Sequence, residues 1–446
     1  MTEDLHAAVG EAFLTAKGDL ERLIRIPSVA FPGFDPQPVR RSAEATREIL
    51  EATGLHGVRL LEMEGVPPAV FGEVAGSAGG PTVLLYAHHD VQPAGDEADW
   101  DSPPFEPTER DGRLYGRGSC DDKAGIALHQ AALLAHGSRP PVGVKVFVEG
   151  EEEVGSPNLD RFLDRFADDL RADVVVLADT TNWRVGVPGL TTKLRGLVDC
   201  EVEVRTLGHA VHSGMYGGVF PDALTALCRL LATLHDERGN VAVEGLVAGP
   251  TEPLDLTEED LRRRMGTVDG LRQIGQGGLT ERLWTRPSVS VLGIDAPSVR
   301  EAANILVPAA RAKVSLRLAP GQDPQDAMKA LTRHLEDGAP WGAEVRVTEG
   351  ASAWPVAVDA RGPVFDAARA ALREAWGREA VEIGAGGTIP FVNAFADAYP
   401  DARILLWGVE DPDGRAHGAN ESLLLDDFRK TCLAEATLLN RLAGAS

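Results

Sequence analysis

The chain has 446 residues, of which 68 are Asp or Glu and 44 are Lys or Arg, for a formal net charge of −24 at pH 7, and 43% of them are hydrophobic. Such length and apolar content exclude a disordered or fibrous chain and allow two or three domains around a large core. The acid surplus argues against nucleic acid or an anionic membrane as partner, because both demand clustered Lys and Arg to neutralise phosphates.

The first residues, MTEDLHAAVGEAF, place acids where a secretory signal needs a basic and then an apolar stretch. No apolar run approaches the roughly 18 residues of a membrane span. Cys120, Cys200, Cys228 and Cys432 are far apart and form no CxxC pair, so neither a disulfide framework nor a thiolate zinc site is indicated. These features predict a reduced, soluble, cytoplasmic protein.

In chain order, short Val/Leu-rich runs predict strands that end in polar clusters: TVLLYA (82–87) before HHD, VKVFVEG (144–150) before EEEVGS, and VVVLAD (174–179) before TTNW. Helical spacing fills 122–137 and 157–170. Continuous apolar strands alternating with helices indicate an α/β domain with a mostly parallel sheet, whose ligands bind beyond the carboxyl ends of the strands. From about residue 194 the texture changes. An alternating strand (197–204), a helix (221–236), an irregular stretch (239–287), strands at 288–294 and 310–318, a helix (323–336) and a strand (343–349) give the order β-α-β-β-α-β of a ferredoxin-like α+β domain. The α/β texture then resumes with a helix at 362–376, a strand at 403–408 and a helix at 424–443. The organisation expected is therefore a catalytic domain in two parts, 1–193 and 356–446, interrupted by an inserted domain at 194–355.

Single motifs here have plain explanations: HHD as a turn, EEE as a solvated face, Asp121-Asp122 as a helix cap. Their placement together is more informative. His88 and Asp90 follow the first strand with side chains on one face, so Asp90 can orient the ring of a metal-bound His88. Asp121 stands in the Gly-rich turn GRGSCDDKAG, Glu152 and Glu153 follow a second strand, Asp179 a third, and His417 the last. Adjacent carboxylates at the end of an apolar strand repel one another unless cations neutralise them. Mixed His and carboxylate ligands suit zinc or manganese in a hydrolytic site.

The segments YAHHDVQP, DSPPFEPTERDGRLYGRGSCDDKAG, EGEEEVGS, VHSGMYGG, GGTIP and HGANE occur in that order over nearly the whole chain. This series resembles the M20 family of dinuclear metallopeptidases, especially its carnosinase-like dipeptidases. The resemblance implies a catalytic α/β domain with a lid domain that makes a homodimer, and two divalent metal ions per subunit, zinc first, with manganese or cobalt as alternatives. It further implies one metal on His88 and Asp179, the other on Glu153 and His417, Asp121 bridging both and followed by a cis peptide, Glu152 as general base and Asp90 as the orienting carboxylate. His212 is implied to reach the partner subunit's site as an oxyanion donor. Arg317 is implied to bind the substrate's terminal carboxylate, Asn304 to add a polar contact, and Gly386, Gly387 and Thr388 to offer backbone N–H groups. Relatives read R-E-G-G-[ST]-I-P at this loop, whereas this chain has Gly384 and Ala385 before the Gly pair.

Three functions follow as alternatives: hydrolysis of dipeptides or short unblocked peptides, hydrolysis of N-acyl-amino acids on the same scaffold, or a non-catalytic metal-binding scaffold. The complete set of His88, Asp90, Asp121, Glu152, Glu153, Asp179 and His417 favours the first two; the motif series makes the first the leading reading, while the shared metals and base leave its separation from the second to a substrate panel.

Overall fold

The computed structural model describes residues 2–77 and 80–444. The chain forms two compact units, one of Met1–Thr192, Val358–Ile383 and Ile389–Ser446, the other of Lys193–Ala357 and Gly384–Thr388.

The first unit is built on a twisted sheet in which strands 56–61, 69–74, 143–149, 82–88, 174–177, 403–406 and 189–194 lie side by side in that order. The four central strands, 143–149, 82–88, 174–177 and 403–406, run parallel, and antiparallel strands flank them. The sequence accounts for this directly. Val83, Leu84, Leu85 and Tyr86 are fully buried, as are Val175 and Val176, because helices cover both faces of these strands. Each such side chain contributes about 1.5–3 kcal/mol by leaving water.

On one side, helices Thr2–Ile24, Lys123–Ala135 and Leu425–Ala443 pack on one another. Their contact is lined by Val9, Ala16, Leu20, Ala124, Leu128, Ala131, Phe428 and Cys432, where the alanines let the helix axes approach closely. The helix expected over 157–170 divides at Phe166 into Leu159–Arg165 and Ala167–Leu170. Since the central strands are parallel, the segments that follow them emerge at one end of the sheet, which places His88, Glu152, Asp179 and the 407–421 tract together.

The second unit has an antiparallel sheet in the order 288–295, 309–318, 196–205, 344–353, with helices Ala223–Ala232 and Pro324–Asp337 packed on it. This is the β-α-β-β-α-β arrangement. Val198, Cys200, Val202 and Val204 alternate into its core with Val314, Leu316, Leu227 and Leu331. Asp222 and Asp323 cap the two helices, accepting from Thr225 N at 2.9 Å and Gln325 N at 2.7 Å. The first helix thus starts after Asp222 rather than at Pro221. The stretch 239–287 is less irregular than its composition suggests: it holds helices Glu258–Met265, with a Thr257/Asp260 capping box, and Leu279–Trp284. Strand Ser288–Asp295 lies at the sheet edge with Val291, Leu292 and Ile294 exposed. Among the described residues, no helix is long and apolar enough to cross a membrane.

Candidate functional site

Strand Thr82–His88 delivers His88 to the end of the sheet, where it is fully buried. Its Nδ1 donates to the Asp90 carbonyl at 3.1 Å and lies 3.5 Å from Asp90 Oδ1. The ring is thereby fixed with Nε2 turned toward the acids, 3.2 Å from Asp121 Oδ1. Asp90 has a second task. Its two oxygens accept from Glu152 N at 3.2 Å and Glu153 N at 3.1 Å, which ties the turn after strand Gly143–Glu149 to the His88 strand.

Asp121 is the centre of the arrangement. While Oδ1 faces His88, Oδ2 faces His417 Nε2 at 2.9 Å, and the same His417 nitrogen lies 3.3 Å from Glu153 Oε2. The Asp121–Asp122 peptide is cis. Asp122 precedes helix Lys123–Ala135 without capping it; its Oδ2 accepts instead from His88 N at 3.2 Å. The cap explanation for this acidic pair therefore fails. His417 sits in a run where Arg415, His417 and Asn420 all take positive φ, a conformation that costs non-glycine residues energy. The run is held by a buried ion pair: Arg117 Nη1 meets Glu421 Oε2 at 2.6 Å and Arg117 Nη2 donates to the His417 carbonyl at 3.2 Å. Glu421 Oε1 in turn accepts from Cys120 N at 3.0 Å and Asp121 N at 3.2 Å.

Removing Glu421 leaves the Arg117 charge buried and unpaired. Glu421→Ala is expected to lower the unfolding free energy by about 3–5 kcal/mol in urea titrations. An unchanged transition midpoint and slope would show that the pair does not organise this loop.

Among the described residues, ligand-capable atoms gather into three groups, each within 4.8 Å: His88, Glu152 and Asp179; Asp121, Glu153 and His417; and Asp121, Asp179 and Glu410. The structure thus brings together all seven residues expected at the centre. It adds Glu410, Glu421 and Arg117. Glu410 obeys the same rule as Asp179, a carboxylate just past the carboxyl end of a parallel strand, and was readable on that ground.

The electrostatics are those of a site that wants cations. Burial pushes Glu152 up to about 8, His88 opposing and Glu153 adding to the rise; burial, then Asp121, pushes Glu153 to about 8 as well. Burial raises Asp179 and Glu410 well above the carboxylate range. Asp121 goes the other way: burial would raise it, but hydrogen bonds from His417 and His88 hold it well below that range. His417 is raised to about 9, first by its hydrogen bond to Asp121. With Nδ1 of His88 committed to Asp90, its Nε2 faces a carboxylate oxygen; a lone pair is tolerated there only if a proton or a metal ion lies between. The donor set, two imidazoles with oxygens and no thiolate, fits hard-to-borderline divalent cations.

Below pH 8, protons occupy Glu153 and His417, and a metal must displace them. Metal binding at pH 7 is therefore expected to release protons, and affinity to rise from pH 6 to pH 9. Calorimetry in buffers of different ionisation enthalpy measures the release, and buffer-independent heats would contradict it.

In the second unit, His212 is exposed, pairs with Ile305, and caps helix Ser213–Tyr216 by accepting from Gly214 N at 3.0 Å through Nδ1. Its Nε2 is left for another partner. The Asn304 carbonyl accepts from Ser213 N at 3.0 Å, which sets Asn304 beside His212. Arg317, on strand Ala309–Leu318, donates to Thr388 Oγ1 at 3.4 Å, and the Thr388 hydroxyl donates to the Arg195 carbonyl at 2.6 Å. Gly386 packs on the Arg195 guanidinium, while a Cβ at Gly387 would meet nothing within 4 Å.

Comparison with known proteins agrees with this geometry. The model of Peptidase family M20/M25/M40 matches residues 84–441. A cysteinylglycine-S-conjugate dipeptidase of Corynebacterium striatum is 36% identical over 366 residues, covering 80% of each chain. Among solved structures, the Dug1p dipeptidase of Saccharomyces cerevisiae superposes with a TM-score of 0.86 at 24% identity, covering 100% of this chain and 99% of that one. Human carnosine dipeptidase 1 does so with a TM-score of 0.83 at 25% identity, covering 99% of each. The chain belongs to peptidase family M20/M25/M40, on the side of its carnosinase-like dipeptidases, and is an enzyme, a peptidase.

Proposed function

We propose that this peptidase hydrolyses the amide bond of dipeptides and short unblocked peptides at a dinuclear metal centre. The observation that carries the reading is the position of Asp121, whose two oxygens each face a different histidine, so that one carboxylate serves two ligand groups. His88 and Asp179 would hold one ion and Glu153 and His417 the other, with Asp121 available to both; Glu410 lies close to Asp121 and Asp179. Divalent cations held by these residues would supply Lewis acidity for the scissile carbonyl and for the attacking water.

The chain's own residues do the rest. Glu152, fixed through its backbone N–H on Asp90, accepts a proton from the attacking water and delivers it to the leaving amine, so the acid and base steps use one carboxyl group. Pushed up to about 8 by burial, its carboxyl is largely protonated at neutral pH without cations, and nearby positive charge lowers it into the ionised form that a base requires. His212 offers Nε2 to the developing oxyanion of the other subunit's substrate, and Asn304 supports it. Arg317, with Gly386, Gly387 and Thr388, receives the substrate's free carboxylate.

Zinc is the metal we assign first, and a homodimer the assembly. The apolar, exposed edge strand Ser288–Asp295 supports the latter, since unpaired edges of this kind seek a partner strand. Four free cysteines, three of them buried, suit the cytoplasm. The test is a substrate panel on enzyme reconstituted separately with zinc, manganese and cobalt. Cleavage of free dipeptides is the expected result; cleavage of acylated amino acids alone would replace the reading with an amidohydrolase.

A further inference from the structure

The second unit holds two guanidinium groups whose charge no acid among the described residues answers. Arg195 donates from Nη1 to Ser288 Oγ at 2.9 Å, but its Nε is buried with no hydrogen-bond partner. Its Nη2 lies 3.0 Å from where a Cβ on Gly386 would stand, so the guanidinium rests against Gly386. Ser288 is the cross-strand partner of Arg317, and both arginines contact Thr388, Arg317 through Oγ1 and Arg195 through its carbonyl. The two cations are close enough to repel: burial, then Arg317, lowers Arg195 to about 10, and burial lowers Arg317. No acid enters the surroundings of either, and among the described residues neither forms an ion pair. The loop Gly384–Thr388 carries no charged side chain to serve as counter-ion.

Two half-desolvated cations of like sign are an unfavourable arrangement by themselves, since burial strips water from each and their mutual repulsion adds to the penalty. An anion seated between them attracts both cations, which outweighs their mutual repulsion and offsets the cost of desolvation. The planar forks suit a carboxylate, and the glycines let it approach the backbone. We infer that Arg195 and Arg317 together form one carboxylate pocket, and that Arg195 is a specificity-determining residue for substrates with a free C-terminal carboxylate. This rests on the dipeptidase reading above. It goes beyond that reading by assigning Arg195, and by making discrimination against C-terminally blocked peptides a property of the pair.

The experiment compares wild type, Arg195→Ala and Arg195→Lys, all metal-loaded, on L-alanyl-L-alanine and L-alanyl-L-alaninamide. Loss of one charge-assisted hydrogen-bonding group corresponds to about tenfold or more in affinity. Arg195→Ala is expected to raise KM for the free dipeptide by that factor with kcat little changed, to leave kcat/KM for the amide unaltered, and to be partly rescued in Arg195→Lys. A fall in kcat at constant KM, or equal losses on both substrates, would overturn the assignment. Calorimetric binding of L-alanine and L-alaninamide to the same proteins separates the two claims. If wild type cleaves neither peptide, the dipeptidase reading fails, and the pocket stands only if L-alanine binds more weakly to Arg195→Ala. Equal binding in wild type and variant sinks it.

Discussion

Glu152→Gln is expected to lower kcat for dipeptide hydrolysis by about 10²–10⁴-fold while leaving the metal content, measured by mass spectrometry, at the wild-type value. The expectation comes from where Glu152 sits. It shares one group of ligand-capable atoms with His88 and Asp179, yet its backbone is held by Asp90 independently of its side chain. Replacing carboxylate by amide keeps the volume and removes the proton acceptor. The loss is to fall on kcat and not on KM, because proton transfer happens only on the way to the transition state. Full activity in Glu152→Gln would remove the base from the account; loss of metal along with activity would reassign Glu152 as a ligand.

Asp121→Ala is expected to have the largest effect of any single substitution. It deprives both ligand groups of a donor at once and leaves the facing nitrogens of His88 and His417 without their common partner. Metal affinity is expected to fall by more than about 100-fold, the upper end of what losing a ligand-orienting neighbour costs, and activity at micromolar metal to disappear. Asp90→Ala, which disturbs only the orientation of His88 and the Glu152–Glu153 turn, is expected to be milder, with about a 10–100-fold loss. Retention of two ions in Asp121→Ala would contradict the bridging role. The order of the two variants is as informative as their size, because a generally acidic pocket would respond to either substitution alike.

The parallel core was legible because buried strands such as Val83–Tyr86 and Val174–Leu177 are uninterrupted apolar runs, and chemistry gathers where such runs end. The α/β framework and the ferredoxin-like order follow from that texture and from the alternation in 197–204. Helix Thr2–Ile24 was harder to read: its buried face is partly alanine, Ala12 and Ala16 among Val9, Leu20 and Leu23, which dilutes the periodic signal. The short helices within 239–287 depend on local caps such as Thr257 and Asp260 more than on an apolar stripe. At the site, residue types and order were visible for His88, Asp121, Glu153, Asp179 and His417, since each follows a strand or opens a helix. Arg117, Glu421 and Arg195 were not, because their roles depend on partners far along the chain: 304 residues separate Arg117 from Glu421. Asp122 looked like a cap and is bonded to the His88 backbone, a contact 34 residues away in sequence.

The central claim is that two cations, shared through Asp121, make this chain a dipeptidase. The most direct measurement is titration of metal-stripped enzyme with zinc while hydrolysis of L-alanyl-L-alanine is followed. The account predicts that activity is absent without metal, rises with added zinc and saturates at two equivalents per chain. Saturation at one equivalent, or dipeptide hydrolysis by the stripped enzyme, would contradict it.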